Sequence, residues 1–345
     1  MFRKTERETT ILYPDLPEAR WHISGMYNYR VFLRIFINQM NVHKLLPAIA
    51  SFHGCPDLPW NGGHLNAGVP NTDSAKFFDA LNRNNMGAFL SFTNLAIGKE
   101  HLSHPEANLI LEQMDEKCGL NGVVVVSDLL SDYIRNKKPG LKQVCSYEKA
   151  LLENPQGNVD WYKKMQERFD RVILFPDHVF NLDLLDQLDR DRTEILVNDE
   201  CVYRCPKRKR HLALVSQFNL QRSPQLLEEL KHIRQHCSGE FGIISDKRNP
   251  AHIRPGFLRY SELKTIYDMG FRNFRICGRR KSIFGLAWNV THFVYNPAMA
   301  SIFATVWAHK IDESFKDEFK RLGQRQAPGG QQPQQGVPAE KADIV

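Results

Sequence analysis

The alternation of short apolar runs with longer amphipathic segments constrains the fold of this 345-residue chain more than any other feature. Each run is rich in β-forming residues, as expected of strands that are buried on both faces. The segments between the runs, such as 72–83 and 104–117, carry apolar residues at helical spacing. The predicted strands number eight, at residues 49–52, 88–92, 122–126, 142–145, 172–175, 194–197, 241–244 and 273–276.

Eight strands that alternate with helices over roughly 250 residues predict a TIM-like (β/α)8 barrel, which is an α/β fold. A doubly wound sheet is the alternative, because it has the same local alternation. No Gly-x-Gly-x-x-Gly follows the first run, which weakens the dinucleotide-binding form of that alternative. We expect an extended lead-in at residues 1–20, the barrel with C-terminal helices at 21–324, and a disordered tail at 325–345, where Gln, Pro and Gly replace large apolar residues.

Composition and charge exclude several classes of protein. Hydrophobic residues make up 42% and charged residues 25%, which is typical of globular chains with a core. The net charge of +7 permits an anionic partner but does not demand one. The densest apolar run, 122–126, is far shorter than the roughly 20 residues of a membrane-spanning helix, so we expect no membrane insertion. The chain has seven cysteines, which is an odd number, and no export signal is visible. We therefore expect a cytoplasmic protein with reduced thiols or metal ligands.

Polar residues follow nearly every predicted strand, and the active sites of such barrels lie at the carboxyl ends of the strands. We therefore expect a set of catalytic candidates to position a substrate or move protons there. The alternative is that Asn, Asp and Ser at these points only cap the helices that follow. The candidates are Asp177, His178, Asn198, Glu200 and Arg279.

Two cysteines four positions apart, Cys201 and Cys205, follow the sixth predicted strand. Thiolates at this spacing can meet one soft metal ion or an iron–sulfur cluster, and the cations of the same loop would lower the pKa values of the thiols. Cys237 lies on the same long connection, although it also fits a thiol at a helix end. Cys55 and Cys277 both follow strands and compete as a fourth ligand. Zinc, bound by three cysteines and His211, is the lesser alternative to iron and sulfur.

The segments around these cysteines resemble the U32 (collagenase-like) peptidase family. Members commonly carry Gly-(Ile)-x-x-(Phe/Leu)-Lys-Ile-x-Gly-Arg at the last barrel strand. This chain matches that pattern at five positions and has Arg275 where Lys is usual. The resemblance covers mainly residues 171–282, about a third of the chain, so the chain looks like a divergent member. The matching residues are Gly270, Phe274, Ile276, Gly278 and Arg279.

The resemblance implies a TIM-like barrel and, for one branch of the family, oxygen-independent hydroxylation with a [4Fe–4S] cluster held by four cysteines. Members of that branch act in ubiquinone biosynthesis and on bases of tRNA or ribosomal RNA. Carried over to this chain, the cluster ligands would be Cys201 and Cys205, with Cys237 by position and Cys55 by its place near an early strand end. The implied partners are a small-molecule or RNA substrate and an accessory or homologous subunit.

Two other functions stay open at this point. The family name suggests a peptidase, but no His-Glu-x-x-His, Gly-x-Ser-x-Gly or Cys-His nucleophile signature is present. The second open function is that of a non-catalytic module that binds RNA or a protein. Cations interleaved with aromatic rings can pair with phosphates and stack on bases. The cations in question are Lys207–Arg210 beside Tyr203, with Arg272, Arg275, Arg279, Arg280 and Lys281, and the loop 207–209 also fits a solvated surface.

Overall fold

Parallel strands close into a barrel in the computed structural model of this chain. Around the barrel the strands stand in the order β1, β10, β7, β6, β5, β4, β3, β2. Every neighbouring pair in that ring is parallel. The eight strands are β1 (Arg20–Ser24), β2 (Ile49–Gly54), β3 (Gly87–Phe92), β4 (Gly122–Val125), β5 (Lys142–Cys145), β6 (Arg171–Ile173), β7 (Thr193–Leu196) and β10 (Asn273–Ile276).

The structure describes residues 15–27, 36–38, 46–63, 74–235, 255–278 and 283–296, together with short pieces between 302 and 313. The predicted tail at 325–345 and most of the predicted lead-in lie outside the described residues. Ten α-helices have bounds within the described residues, and no described helix is long and apolar enough to cross a membrane. They are α1 (Ser74–Arg83), α2 (Pro105–Glu112), α3 (Asp128–Lys137), α4 (Tyr147–Glu153), α5 (Val159–Arg168), α6 (Leu182–Asp186), α7 (Arg208–Gln221), α8 (Pro224–Gln235), α9 (Tyr260–Asp268) and α10 (Ile283–Val294).

The predicted barrel is confirmed, but one of its strands differs from the predicted set. Residues 20–24 form β1, which hydrogen-bonds to both β2 and β10 and closes the ring. The predicted strand at 241–244 lies outside the described residues, and β10 pairs directly with β7, so the ring closes without it. The prediction missed β1, which begins at the last residue of the predicted lead-in and has the sequence RWHIS, with polar residues at alternate positions.

A second, two-stranded antiparallel sheet stands at the carboxyl end of β7. It pairs β8 (Asn198–Val202) with β9 (Pro255–Phe257). Gly256 is required in β9, because a Cβ at this position would lie 2.5 Å from the carbonyl oxygen of Cys201. This close pairing holds the segment that carries Cys201, one of the predicted ligands, over the barrel mouth.

The barrel walls separate an apolar core from a partly polar interior. Outward-facing strand residues such as Trp21, Ile23 and Phe52 are buried against the surrounding helices. Inside the barrel, a small apolar cluster of Phe89, Val124, Val144 and Ile173 lies apart from that core. Polar residues that alternate with the outward-facing ones fill the remainder of the interior, as the two-residue period of a strand requires. The buried polar set includes His22, Ser51, His53, Glu194 and Arg275.

Candidate active site at the barrel mouth

A cavity of about 160 Å³ opens at the carboxyl ends of the barrel strands. Its apolar lining comes from Val124, Ile173 and Leu196, which belong to three different strands. Hydroxyl, carboxyl, thiol and guanidinium groups form the rest of the wall. The polar lining residues are Ser24, Ser91, Thr93, Ser146, Tyr147, Glu148, Asp199, Cys201, Arg208, His211, Arg275 and Cys277. An apolar floor with converging polar groups is the usual form of a small-molecule site.

Helix α7 lies across this mouth and contributes Arg208, His211, Leu212 and Val215 to the cavity wall. Loops that follow other strands hold the helix in place. Asn94 donates to the Ser216 carbonyl at 3.0 Å, and Leu95 N–H donates to the Ser216 hydroxyl at the same distance. Farther along the helix, Asn219 donates to the carbonyls of Asn61 and Gly63. No local pattern in the sequence predicts a helix over the mouth.

The two predicted ligands Cys201 and Cys205 are brought together beside the cavity. Their side chains hydrogen-bond to each other. The hydrogen bond from Cys201 lowers the pKa of Cys205 to about 6, and the backbone N–H groups of Lys207 and Arg208, at the start of α7, act in the same direction. The same hydrogen bond, together with burial, raises the pKa of Cys201. Cys205 therefore loses its proton more readily than Cys201.

Arg208 stands at the centre of the charges around this pair, and only 4% of its side chain is exposed. Its Nη1 lies 3.2 Å from Asp177 Oδ1, and its Nη2 lies 3.1 Å from Asp199 Oδ2. Nη2 also donates to the Val202 carbonyl at 2.9 Å, which fixes the loop between the two cysteines. The guanidinium therefore ties α7 to two strand ends and places a positive charge next to both thiols.

Asn198, a predicted catalytic residue, is fully buried and fixes the backbone of Cys277. Its Oδ1 accepts the Cys277 N–H at 2.6 Å, and its Nδ2 donates to the Cys277 carbonyl at 2.8 Å. Asn198 therefore holds the start of β8 against the end of β10. Cys277 lines the same cavity as Cys201, so this contact positions a third thiol at the mouth.

Two further predicted catalytic residues, Asp177 and His178, do not line the cavity. Their side chains bind neighbouring loops instead. Asp177 accepts the Arg204 N–H at 2.9 Å in addition to its ion pair with Arg208. His178 Nε2 lies 3.1 Å from the Pro155 carbonyl, so it carries the proton and donates. Its Nδ1 then accepts the Tyr162 hydroxyl at 2.8 Å. Burial lowers the pKa of His178, in keeping with a neutral ring that has both nitrogens engaged.

The remaining predicted site residues are not assembled around the mouth in the described part of the chain. Cys55 is buried in the main apolar core and is not among the residues that line the cavity. Glu200 lies in β8, but its side chain is outside the description. Cys237 and Arg279 lie outside the described residues. These four assignments stay predictions.

Three consecutive residues after β5, Ser146, Tyr147 and Glu148, line the cavity but were not among the predicted catalytic residues. The Ser146 hydroxyl donates to the Glu148 carboxylate. Burial raises the pKa of Tyr147 well above its ordinary value, with Glu148 adding to the effect, so the phenol keeps its proton. Their position directly after a predicted strand was the signal that could have identified them.

The cations that the RNA-binding hypothesis grouped together are dispersed in the fold. Arg208 is buried in ion pairs, and Arg275 pairs with Glu194 inside the barrel. Arg272 pairs with Glu18 near the amino end of β10. Arg279, Arg280 and Lys281 lie outside the described residues. The exposed Lys207, Lys209 and Arg210 stay together at the start of α7, whereas Arg208, Arg272 and Arg275 are engaged in ion pairs elsewhere.

Comparisons with known proteins give a structural likeness. The chain is similar to a solved U32 peptidase. That structure, of the U32 peptidase Mk0906, is 13% identical, with 75% of this chain and 91% of that chain covered and a TM-score of 0.46. No protein-family model matches the chain, and no curated protein matches it. At this identity and superposition the likeness indicates neither an activity nor a cofactor.

Proposed function

We propose that this chain is an enzyme that modifies a small molecule or an RNA base at the barrel mouth, with an iron–sulfur cluster held in part by Cys201 and Cys205. The observation that carries the proposal is a hydrogen-bonded pair of thiols beside a cavity with an apolar floor and a polar rim. Sulfur donors are the ligands of iron–sulfur clusters, and the carboxyl end of a barrel is where such folds do their chemistry.

The donor set of the described residues fits such a cluster in part. Cys201 and Cys205 supply two thiols, whereas no group of three or more His, Cys, Asp or Glu in the described ranges could hold a metal ion. A [4Fe–4S] cluster takes four cysteines. Residues 236–254, which include Cys237, connect α8 to β9, and β9 pairs with the strand that carries Cys201. Cys237 is therefore the residue we propose as a further ligand.

When bound, such a cluster would supply electron transfer or a Lewis-acidic iron. The chain's own groups have separate tasks that do not depend on it. Arg208 offsets the negative charge of thiolates, which would otherwise be costly in a largely buried place. The protonated Tyr147 and the Glu148 carboxylate offer a hydrogen-bond donor and an acceptor to a bound substrate. The apolar floor and α7 limit the access of water. The reaction that we propose is hydroxylation without O2, in which water would supply the hydroxyl oxygen, an external electron acceptor would take the two electrons released from the substrate, and the protons would pass to solvent.

Iron and sulfide analysis of anaerobically purified full-length protein tests the proposal. We expect both elements in the wild type and their loss in Cys201→Ala and Cys205→Ala. Cys118→Ala is the matched control, because Cys118 is a partly exposed thiol that hydrogen-bonds to Asp115 outside the cavity lining. Wild-type protein without iron after anaerobic reconstitution would contradict the proposal, as would equal iron contents in all three variants.

A peptidase is the second candidate, because a cysteine whose pKa is lowered to about 6, as at Cys205, is a competent nucleophile near neutral pH. The nearby His178 has both ring nitrogens engaged by Tyr162 and Pro155, so it is not placed to act as the base. Cleavage of casein that is lost in Cys205→Ala and unaffected by removal of iron would favour this candidate over the cluster enzyme.

A further inference from the structure

A second cavity, of about 420 Å³, lies at the opposite end of the barrel, where the strands begin. Its size falls within the roughly 300–1,000 Å³ of ligand pockets. It is lined by the first residues of several strands, among them the cations Arg20, Lys142 and Arg171. No Asp or Glu of the described chain lines it. This end of the barrel is separate from the mouth, and the proposed function does not use it.

A chain of hydrogen bonds connects this cavity to the barrel centre. It fixes which ring nitrogens of His22 and His53 carry protons. Arg275 Nη2 lies 2.9 Å from His53 Nδ1. Because a guanidinium only donates, His53 Nδ1 accepts this hydrogen bond. His53 Nε2 therefore donates to the Ser51 hydroxyl at 2.7 Å, and that hydroxyl donates to His22 Nδ1, also at 2.7 Å. Both histidines are thus neutral, in agreement with burial, which lowers the pKa of His22 to about 3.

The buried charges at the centre of the barrel do not balance. Glu194 is fully buried and forms ion pairs with both Arg275 and Arg171, the latter at 3.2 Å. Two guanidinium groups therefore share one carboxylate, while the adjacent histidines carry no charge. The excess positive charge lies on the side of Arg171, whose side chain is only 16% exposed. A largely buried charge without full compensation is costly unless a ligand or solvent neutralises it.

Arg171 lines this cavity, and Glu194 occupies only part of its guanidinium. Its Nε is taken by Glu194, its guanidinium lies 5.2 Å from the centre of the Phe89 ring, and its Nη2 is buried without a hydrogen-bond partner in the described structure. Arg20 and Lys142 line the same cavity, and Arg20 also lies 3.5 Å from the exposed carboxylate of Asp191. We propose that this cavity binds a phosphate group, either as free inorganic phosphate or as the phosphate of a small phosphomonoester, with Arg171 as the central ligand.

Calorimetric titration of the full-length protein tests this site. The probes are inorganic phosphate and glycerol 3-phosphate, in chloride buffer at constant ionic strength. We expect saturable binding at one site, with affinity reduced about tenfold in Arg171→Gln because a charged hydrogen-bond donor is lost. Lys142→Gln should weaken binding severalfold. Lys163→Gln, the same substitution at an exposed position on α5, is the matched control and should bind as the wild type does.

Tighter binding of glycerol 3-phosphate identifies a phosphomonoester as the ligand, and tighter binding of inorganic phosphate identifies the free ion. If Arg171→Gln does not fold, Lys142→Gln and Arg20→Gln carry the test, because both residues lie on the cavity wall and neither is fully buried. Absence of saturable binding at millimolar phosphate, or equal affinities in cavity variants and control, would overturn the proposal. Cys201→Ala should keep phosphate binding, so the two sites can fail independently.

Discussion

Replacement of Arg208 by methionine tests whether the mouth is held together by buried charge. Methionine keeps most of the apolar stem and has a comparable helix propensity, so the change removes mainly the guanidinium. In the wild type that group lies 3.2 Å from Asp177 and 3.1 Å from Asp199. The exposed fractions of these two side chains are 13% and 9%. Without Arg208, two largely buried carboxylates would lose their common partner.

Removal of one partner from a buried ion pair costs about 3–5 kcal/mol, mainly because the other charge remains buried. We expect a value near the lower end, about 3 kcal/mol, because Asp177 and Asp199 keep some contact with solvent. The free energy of unfolding is measured by urea denaturation followed by tryptophan fluorescence. Trp21 and Trp60 are buried and report on the barrel and on its mouth.

Arg210→Met is the control, since it makes the same substitution one turn or less away on the same helix. Arg210 is 72% exposed and lies 3.5 Å from Glu229, so its loss should cost less than about 0.5 kcal/mol. A loss below about 1 kcal/mol in Arg208→Met would refute the reasoning. So would equal losses in the two variants, because burial would then not decide the strength of these pairs.

Two further predictions concern the barrel interior and the third thiol. Burial alone would raise the pKa of Glu194, but Arg275, His22 and Arg171 outweigh it and hold the value at about 2, below the ordinary 4.5. This carboxylate should therefore stabilise the fold by about 3 kcal/mol above pH 4.5, with the contribution lost as the pH falls towards 2. Urea denaturation at a series of pH values should show this acid dependence in the wild type and a weaker one in Glu194→Gln. Asn198→Ala should lower the free energy of unfolding by about 1–3 kcal/mol, because the Cys277 N–H and carbonyl lose their partner. A loss within experimental error would contradict the structural role given to the hydrogen bonds between Asn198 and Cys277.

The sequence was sufficient to predict the barrel because its signal is repetitive. Seven of the eight barrel strands lie at predicted runs, each apolar enough to stand out from the amphipathic segments beside it. The strand Arg20–Ser24 escaped detection for a physical reason. His22 faces the polar interior and meets Ser51 and Asn273 there, so this strand does not need to be apolar on both faces. Asn273–Ile276 also has polar residues at alternate positions and was predicted, so the place of Arg20–Ser24 directly after the predicted lead-in, and not its polar face alone, hid this strand.

The site could be predicted only where it is local in sequence. Cys201 and Cys205 were expected to act together, and their side chains do hydrogen-bond. The environment of the pair depends on contacts between distant segments. The run 207–210 resembles a solvated basic loop, yet Arg208 is buried because the fold brings Asp177 and Asp199 to it. The role of α7 as a cover depends on hydrogen bonds across more than a hundred residues, which no local pattern encodes.

The buried charges inside the barrel favour a functional explanation over a structural one. Replacement of a buried group of ion pairs by well-packed apolar residues is often neutral or stabilising. Stability therefore does not explain why a fully buried Glu194 stands between Arg275 and Arg171. Arg275 lines the cavity at the mouth, and Arg171 lines the cavity at the other end. One carboxylate thus offsets part of the repulsion between two cations that face opposite cavities, an arrangement that favours charged or polar ligands at both ends of the barrel.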